Sequence, residues 1–127
     1  MFGNPYAERI ALEATYEDTA VVTRRSNEKG KDSISRAEWK EIYAGIICGL
    51  SVGSDNSRQT DAQHTISFDR TLFVQPDKDI RPGDMVTVFR FGRFMANSPS
   101  VEKYEVVGVP MLYQTHREVF LRAVTLA

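Results

Sequence analysis

The stretch Arg81-Pro82-Gly83-Asp84-Met85-Val86-Thr87-Val88-Phe89-Arg90-Phe91 decides how this chain folds. Proline fixes φ at the second position of a four-residue turn and glycine accepts a positive φ at the third, so Arg81–Asp84 reads as a type II turn. The residues after it are β-branched or aromatic and read as a strand with apolar side chains on both faces. Upstream, Ile66, Phe68, Leu72 and Val74 form a second β-type run that ends at Pro76-Asp77. Downstream, Asn97-Ser98-Pro99-Ser100 is a loop, and Tyr104 to Val109 is a strand punctuated by Gly108 and Pro110. The final run, Val119 to Val124, places Val119, Leu121 and Ala123 on one face and Phe120, Arg122 and Val124 on the other.

The first half extends the pattern. Residues 6 to 14 are good helix formers, with Pro5 suited to a first helical position. Nine residues are too few for a stable free helix, so this segment needs a partner surface. Thr19 to Arg25 is the first strand, and Ser26 to Ser33 has the composition of a solvated hairpin tip. The second strand runs from about Trp39 to Leu50, with Ile42, Ala44, Ile46, Cys48 and Leu50 alternating on one face. Ser51 to His64 then interrupts the β pattern with polar residues, and loops this long in compact domains are functional or disordered. Six strands joined mostly by hairpins predict an all-β fold. The expected form is a small six-stranded antiparallel β-barrel, whose closure removes exposed edges. Residues 15–127 read as one barrel domain and residues 1–14 as an N-terminal arm or short helix.

Composition narrows the function classes. Sixteen basic and seventeen acidic residues leave a net charge of −1, without the basic excess expected of a protein that neutralises many phosphates. Cys48 is the only cysteine, which excludes an intrachain disulfide and a multi-cysteine zinc site. Within Ile46-Ile47-Cys48-Gly49-Leu50 it reads as a small buried thiol. No apolar run approaches the roughly twenty residues that span a bilayer, and Met1 to Pro5 lacks the basic and apolar regions of a signal peptide. The expectation is a chain kept in a reducing cytoplasm, with near-neutral charge, no strongly apolar exposed run and weak self-association.

No reactive constellation emerges. Asp77, Asp79 and Asp84 bracket a turn but lack the alternating ligands of a calcium loop. His64 and His116 have no second His or Cys at ligand spacing and no Ser-His-Asp or Cys-His setting. The expectation is therefore no enzyme, no cofactor and no metal. Two surface features stand out. The loop offers Ser51, Gly53, Asp55, Asn56, Arg58, Gln59, Asp61, Gln63 and His64. The first hairpin offers a basic cluster, Arg24, Arg25, Lys29, Lys31 and Arg36, with Glu28 and Asp32 interspersed, suited either to solvation or to docking on an acidic partner. Phe89, Phe91 and Phe94 suit core packing, or a stacking platform if the domain is an OB-like nucleic-acid-binding module.

The succession of a Val-rich first strand, polar hairpin, long second strand and polar loop resembles phage head-closure proteins, also called stoppers or head-tail connector proteins. Further likeness lies in Leu72-Phe73-Val74 with Pro76-Asp77, in Ile80, and in Gly83-Asp84-Met85-Val86. Tyr104 to Pro110 is similar to that family's penultimate strand, and Tyr113 to Val124, with His116 and Glu118, to its ending. The resemblance spans most of residues 15 to 124 and leaves Met1 to Ala14 unmatched. It implies a β-barrel in the neck of a tailed phage, assembled with copies of itself into a ring that is typically dodecameric. The ring would sit between a portal or adaptor ring above and a tail or tail-completion protein below. Packaged DNA would be retained by steric contact, with residues 51–64 projecting into the channel. The implied location is the virion neck, with assembly in the host cytoplasm, and no catalytic residues carry over.

Overall fold

The computed structural model describes residues 5–29, 35–51 and 68–124. Helix α1 spans Pro5–Glu13, followed by strands β1 (Asp18–Lys29), β2 (Ser35–Leu50), β3 (Arg70–Val74), β4 (Met85–Phe89), β5 (Val101–Val106), β6 (Met111–Leu112) and β7 (Arg117–Ala123). The strands pair in the order β3, β2, β1, β4, β5, β7, and β7 pairs back onto β3. All of these ladders are antiparallel. The result is the closed six-stranded barrel that the turn-and-strand pattern predicts. The two-residue β6 is a seventh strand, attached to the start of β7.

Alternation supplies the core. Ala20 and Val22 from β1, Leu72 and Val74 from β3, Val86 and Val88 from β4, Tyr104 and Val106 from β5, and Val119 and Leu121 from β7 all point inward. Each of the valines and leucines among them contributes roughly 1.5–3 kcal/mol of transfer free energy. The Arg81–Asp84 turn forms as its residues dictate, with Gly83 at φ 92° and the Asp84 amide donating to the Arg81 carbonyl at 3.1 Å. Ile80, just before it, plugs the core.

Three boundaries differ from the sequence reading. The β1–β2 ladder continues out to Lys29 opposite Ser35, so part of the expected hairpin tip is strand. The alternation of β2 holds for Ile46, Cys48 and Leu50 but breaks before them. The register against β1 shifts twice between Ala20 and Thr23, and Gly45 sits at φ 74°. A bulge inserts extra residues and turns side chains to the other face. Ala44 is therefore exposed and Tyr43 packs on the core instead, its hydroxyl accepting from the Asp79 amide at 2.7 Å. Finally, Ala123 is exposed, although its ladder partner Tyr104 is buried in the core.

The β1–β4 ladder runs from Thr19 opposite Phe89 to Thr23 opposite Met85. One step beyond each end lies an ion pair. Asp18, 2% exposed, accepts from Arg90 Nε at 3.1 Å, from the Phe91 amide at 2.8 Å and from the Leu50 amide at 3.0 Å. Asp84, also 2% exposed, accepts two parallel bonds from Arg24 at 2.9 Å and one from the Arg81 amide. Both pairs share the inward row with Ala20, Val22, Val86 and Val88. They therefore cap the apolar core where it meets each end of the ladder.

Removing one partner of a buried, hydrogen-bonded pair strands the other charge, at a cost of about 3 kcal/mol. Asp84→Ala is expected to lower unfolding free energy by about that amount, measured by urea denaturation. The double variant Arg24→Met/Asp84→Leu is expected to recover most of the loss. Equal destabilisation by the single and double variants would mean that the pair is not the source.

Candidate functional site

The polar loop begins from a fixed stem. The Ser51 amide donates to the Thr71 carbonyl and the Ser51 hydroxyl accepts from the Thr71 amide, both at 2.9 Å. Where the chain re-enters the described region, the Asp69 amide donates to the Leu121 carbonyl at 2.7 Å and the Asp69 carboxylate accepts from the Ala123 amide at 2.8 Å. Both stems thus rest on β3 and β7. Gly53, Asp55, Asn56, Arg58, Gln59, Asp61, Gln63 and His64 lie outside the described residues.

The basic cluster of the first hairpin is divided. Arg24 is committed to Asp84 and also donates to the Asp79 carbonyl at 2.9 Å. Arg25 is exposed and sits opposite Trp39 across the β1–β2 ladder. Lys29 and Arg36 belong to the paired ends of the ribbon, Arg36 opposite Glu28, and Lys31 lies outside the described residues. Beyond Thr23 the ribbon has left β4 behind, so it projects past the barrel as two strands.

The N-terminal helix has no buried residue and is held from outside. Arg93 donates to the Glu13 and Tyr16 carbonyls at 2.8 and 2.9 Å, placing a cation at the helix C-terminus, where the dipole favours it. Arg9 pairs with Glu13 at 2.6 Å and reaches Asp77 at 3.5 Å. The partner surface that so short a helix needs is thus the β3–β4 and β4–β5 connections. Tyr16 follows, buried against Gly49, where an added Cβ would lie 3.1 Å from the ring.

Two groups of apolar side chains are exposed, the first against expectation and the second in place of the core packing that alternation favoured. Val109, Met111, Leu112 and Tyr113 stand out on the β5–β7 connection, Val109 being 73% exposed. This overturns the expectation that no apolar run is exposed. The signal was present as five consecutive uncharged residues, Val109-Pro110-Met111-Leu112-Tyr113, with a proline unsuited to a central strand. Tyr113 stacks on His116 with centroids 4.7 Å apart, and its amide donates to the His116 carbonyl at 2.8 Å, which fixes the arm. His116 stands at the entrance to β7, 3.0 Å from Glu118. The second group is Phe91, Phe94 and Met95 in the β4–β5 connection. Phe91 and Phe94 are on the surface rather than in the core, because β4 ends at Phe89 and Phe91 takes φ 60°. Each lies beside a guanidinium, Arg90 and Arg93 respectively.

The described residues hold no group of three or more His, Cys, Asp or Glu side chains placed to hold a metal ion. Cys48 is buried, and burial, with Asp18 adding to it, pushes its thiol pKa well up. That is the inert thiol the sequence suggests. None of the described helices is long and apolar enough to cross a membrane.

Fold and surface together define a small closed β-barrel with a projecting two-stranded ribbon and an exposed apolar arm. No family model matches the chain, and no curated protein matches it. Among solved structures it is similar to the phage-like element PBSX protein xkdH from Bacillus subtilis, with a TM-score of 0.45 and 11% sequence identity, covering 83% of this chain and 91% of that one. A likeness at that level carries no argument about role.

Burial raises the phenol of Tyr16 to about 12, with Glu13 adding to the effect. Burial also raises Tyr104 to about 12, with a further contribution from its hydrogen bond to Glu102. In the unfolded chain these phenols ionise near 10. Their contribution to stability is fully present below pH 10 and is lost as pH rises to 12. Equilibrium unfolding across that window is expected to show falling stability, with a shallower fall in Tyr16→Phe. An identical slope in the variant would remove Tyr16 as a cause.

Proposed function

We infer that this chain is a structural, non-enzymatic neck protein of a tailed phage. Copies form a ring below a portal or adaptor ring, close the head channel after DNA packaging and present the surface to which the tail attaches. The observation that carries the reading is the exposed apolar arm Val109–Tyr113. Contiguous exposed apolar side chains on a folded domain mark a surface for another protein. A second apolar group, at Phe91, Phe94 and Met95, comes from a different connection. Two unlike patches suit a heterologous contact, in which one side of each subunit meets the other side of its neighbour and the rotation closes a ring. The sequence resemblance supports the same reading. Its motifs Leu72-Phe73-Val74 and Gly83-Asp84-Met85-Val86 are the strands and turn that build the barrel.

In this account the barrel is the frame and residues 51–64 are the gate. Stems bonded to β3 and β7 let each subunit carry the loop without straining its core. The loop is nearly charge-balanced, with Asp55 and Asp61 against Arg58, so closure is steric and neither grips nor repels DNA strongly. The alternative, an OB-like nucleic-acid-binding module, draws on the exposure of Phe91 and Phe94. Arg90 is engaged by Asp18, and Arg93 by the Glu13 and Tyr16 carbonyls. That surface offers stacking without the basic excess that phosphate binding favours. Binding of single-stranded DNA at moderate salt would favour the alternative.

Deleting about ten residues within 52–64 should leave the barrel folded, since loop-closure entropy changes slowly with length. Particles assembled with this variant are expected to package DNA and then lose it before tails attach, scored by the ratio of empty to filled heads. Retention equal to that of the parent chain would move the gate elsewhere, with the hairpin at residues 26–36 next in line.

A further inference from the structure

A groove of about 600 Å³ opens where the β1–β2 ribbon leaves the barrel. Arg24, Arg25 and Trp39 form one side of it, and the Arg81–Asp84 turn with Met85 forms the other. Successive side chains of a strand point to opposite faces. A groove lined by both Arg24 and Arg25 therefore runs along the edge of β1 rather than over one face. That edge is open: β4 covers β1 from Thr19 to Thr23, and from Arg24 to Lys29 the only strand beside it among the described residues is β2. The turn at Arg81–Asp84 leads the chain away just where β4 would otherwise continue. What remains is a slot beside β1, in line with β4.

The charges in the slot are unequal. Both lining carboxylates are already spent, Asp84 on Arg24 at 2.9 Å and Glu105 on Arg122 at 3.1 Å. Arg81 is held by Asp79 at 2.9 Å but keeps most of its surface exposed. The Arg25 side chain makes no hydrogen bond or ion pair with the described residues and stands beside Trp39. Trp39 is the single tryptophan of the chain and is 50% exposed. Pro82, Met85 and Val124 complete an apolar floor. Among the described residues the slot thus combines β1 backbone groups that no strand pairs on this side, an available guanidinium and an exposed indole. These are the elements of strand addition, in which main-chain bonds supply affinity and alternate side chains supply specificity.

We propose that this slot is a docking site for an extended acidic segment of a partner protein. The segment adds to the free edge of β1 beyond Thr23, with a carboxylate on Arg25 and an apolar side chain against Trp39 and Met85. Charge complementarity selects an acidic occupant, because the lining acids are neutralised internally and the available cation is not. Nothing in this assignment depends on the neck reading, and the two fail separately. A chain with no place in a virion would still bind the segment.

Short random peptides displayed on a carrier and selected against the full-length chain test the proposal. Enrichment of peptides with Asp or Glu beside an aliphatic or aromatic residue is expected. A synthetic copy of an enriched peptide is expected to shift the Trp39 emission to shorter wavelength. Arg25→Glu, at an exposed position, is expected to leave the melting temperature unchanged and to weaken binding by about tenfold or more. Arg25→Gln is expected to give an intermediate loss and serves as the folded control if charge reversal perturbs the domain. Failure to enrich peptides, or enrichment of basic ones, overturns the proposal. So does binding that leaves Trp39 unmoved or survives both Arg25 variants, or capture of a single-stranded oligonucleotide in preference to the acidic peptide.

Discussion

The reciprocal clasp between β1 and β4 is the constraint on which the rest of the barrel depends. Asp18 and Arg24 in β1, and Asp84 and Arg90 around β4, have the same spacing and the same order along the chain. Because the strands run antiparallel, each aspartate meets the other strand's arginine. A parallel arrangement would set Asp against Asp and Arg against Arg. A one-residue slip of β1 against β4 would turn Asp18, Val22 and Arg24 to the opposite face while Asp84, Val86 and Arg90 kept theirs, and both pairs would be lost. The clasp therefore specifies direction and register at once. A buried ion pair is weak evidence of net stability; what these two add is their antiparallel match of Asp to Arg, and both carboxylates also accept backbone amides.

The clasp also positions what projects from the barrel. At one end, Asp84 holds the Arg81–Asp84 turn, and the β1–β2 ribbon departs just past Arg24, opening the slot beside Arg25 and Trp39. At the other, Asp18 ties together the end of β2 at Leu50, the turn at Phe91 and the start of β1. The loop stem at Ser51 and the Phe91–Met95 patch both leave from that knot. Paired strands thus present connecting segments, which is the arrangement expected of a protein that works through its surfaces. In the proposed ring, the chain leaves for the gate from Ser51 and returns at Asp69, both held by backbone bonds to β3 and β7.

Much of this was legible in the residues. The Arg81–Asp84 turn and the strand after it, the face shared by Val119 and Leu121, the helix near residue 6 and the buried Cys48 follow from local chemistry, because each depends on period or on a single φ requirement. The face of β2 before Ile46 was not legible. A bulge at Gly45 is a pairing event, decided by where β1 lies rather than by β2 alone. The role of Arg24 was hidden for the same reason: its partner is sixty residues away, and on composition alone it belongs with the exposed basic cluster. Phe91 and Phe94 read as core because alternation cannot reveal that β4 ends two residues earlier. The apolar arm at Val109–Tyr113 carried a readable signal in its run of uncharged residues, but strand-like sequence alone does not separate a buried run from an exposed one.

The central claim, that a clasped barrel serves as the ring-forming frame of a phage neck, is tested most directly by electron cryomicroscopy of tailed particles assembled with this chain. The account predicts density for a ring of these barrels coaxial with the channel beneath the portal or adaptor ring. Neighbouring copies should touch through the Val109–Tyr113 arm, and residues 51–64 should be directed toward the axis. Particles complete in head and tail but lacking this chain at the neck would contradict it.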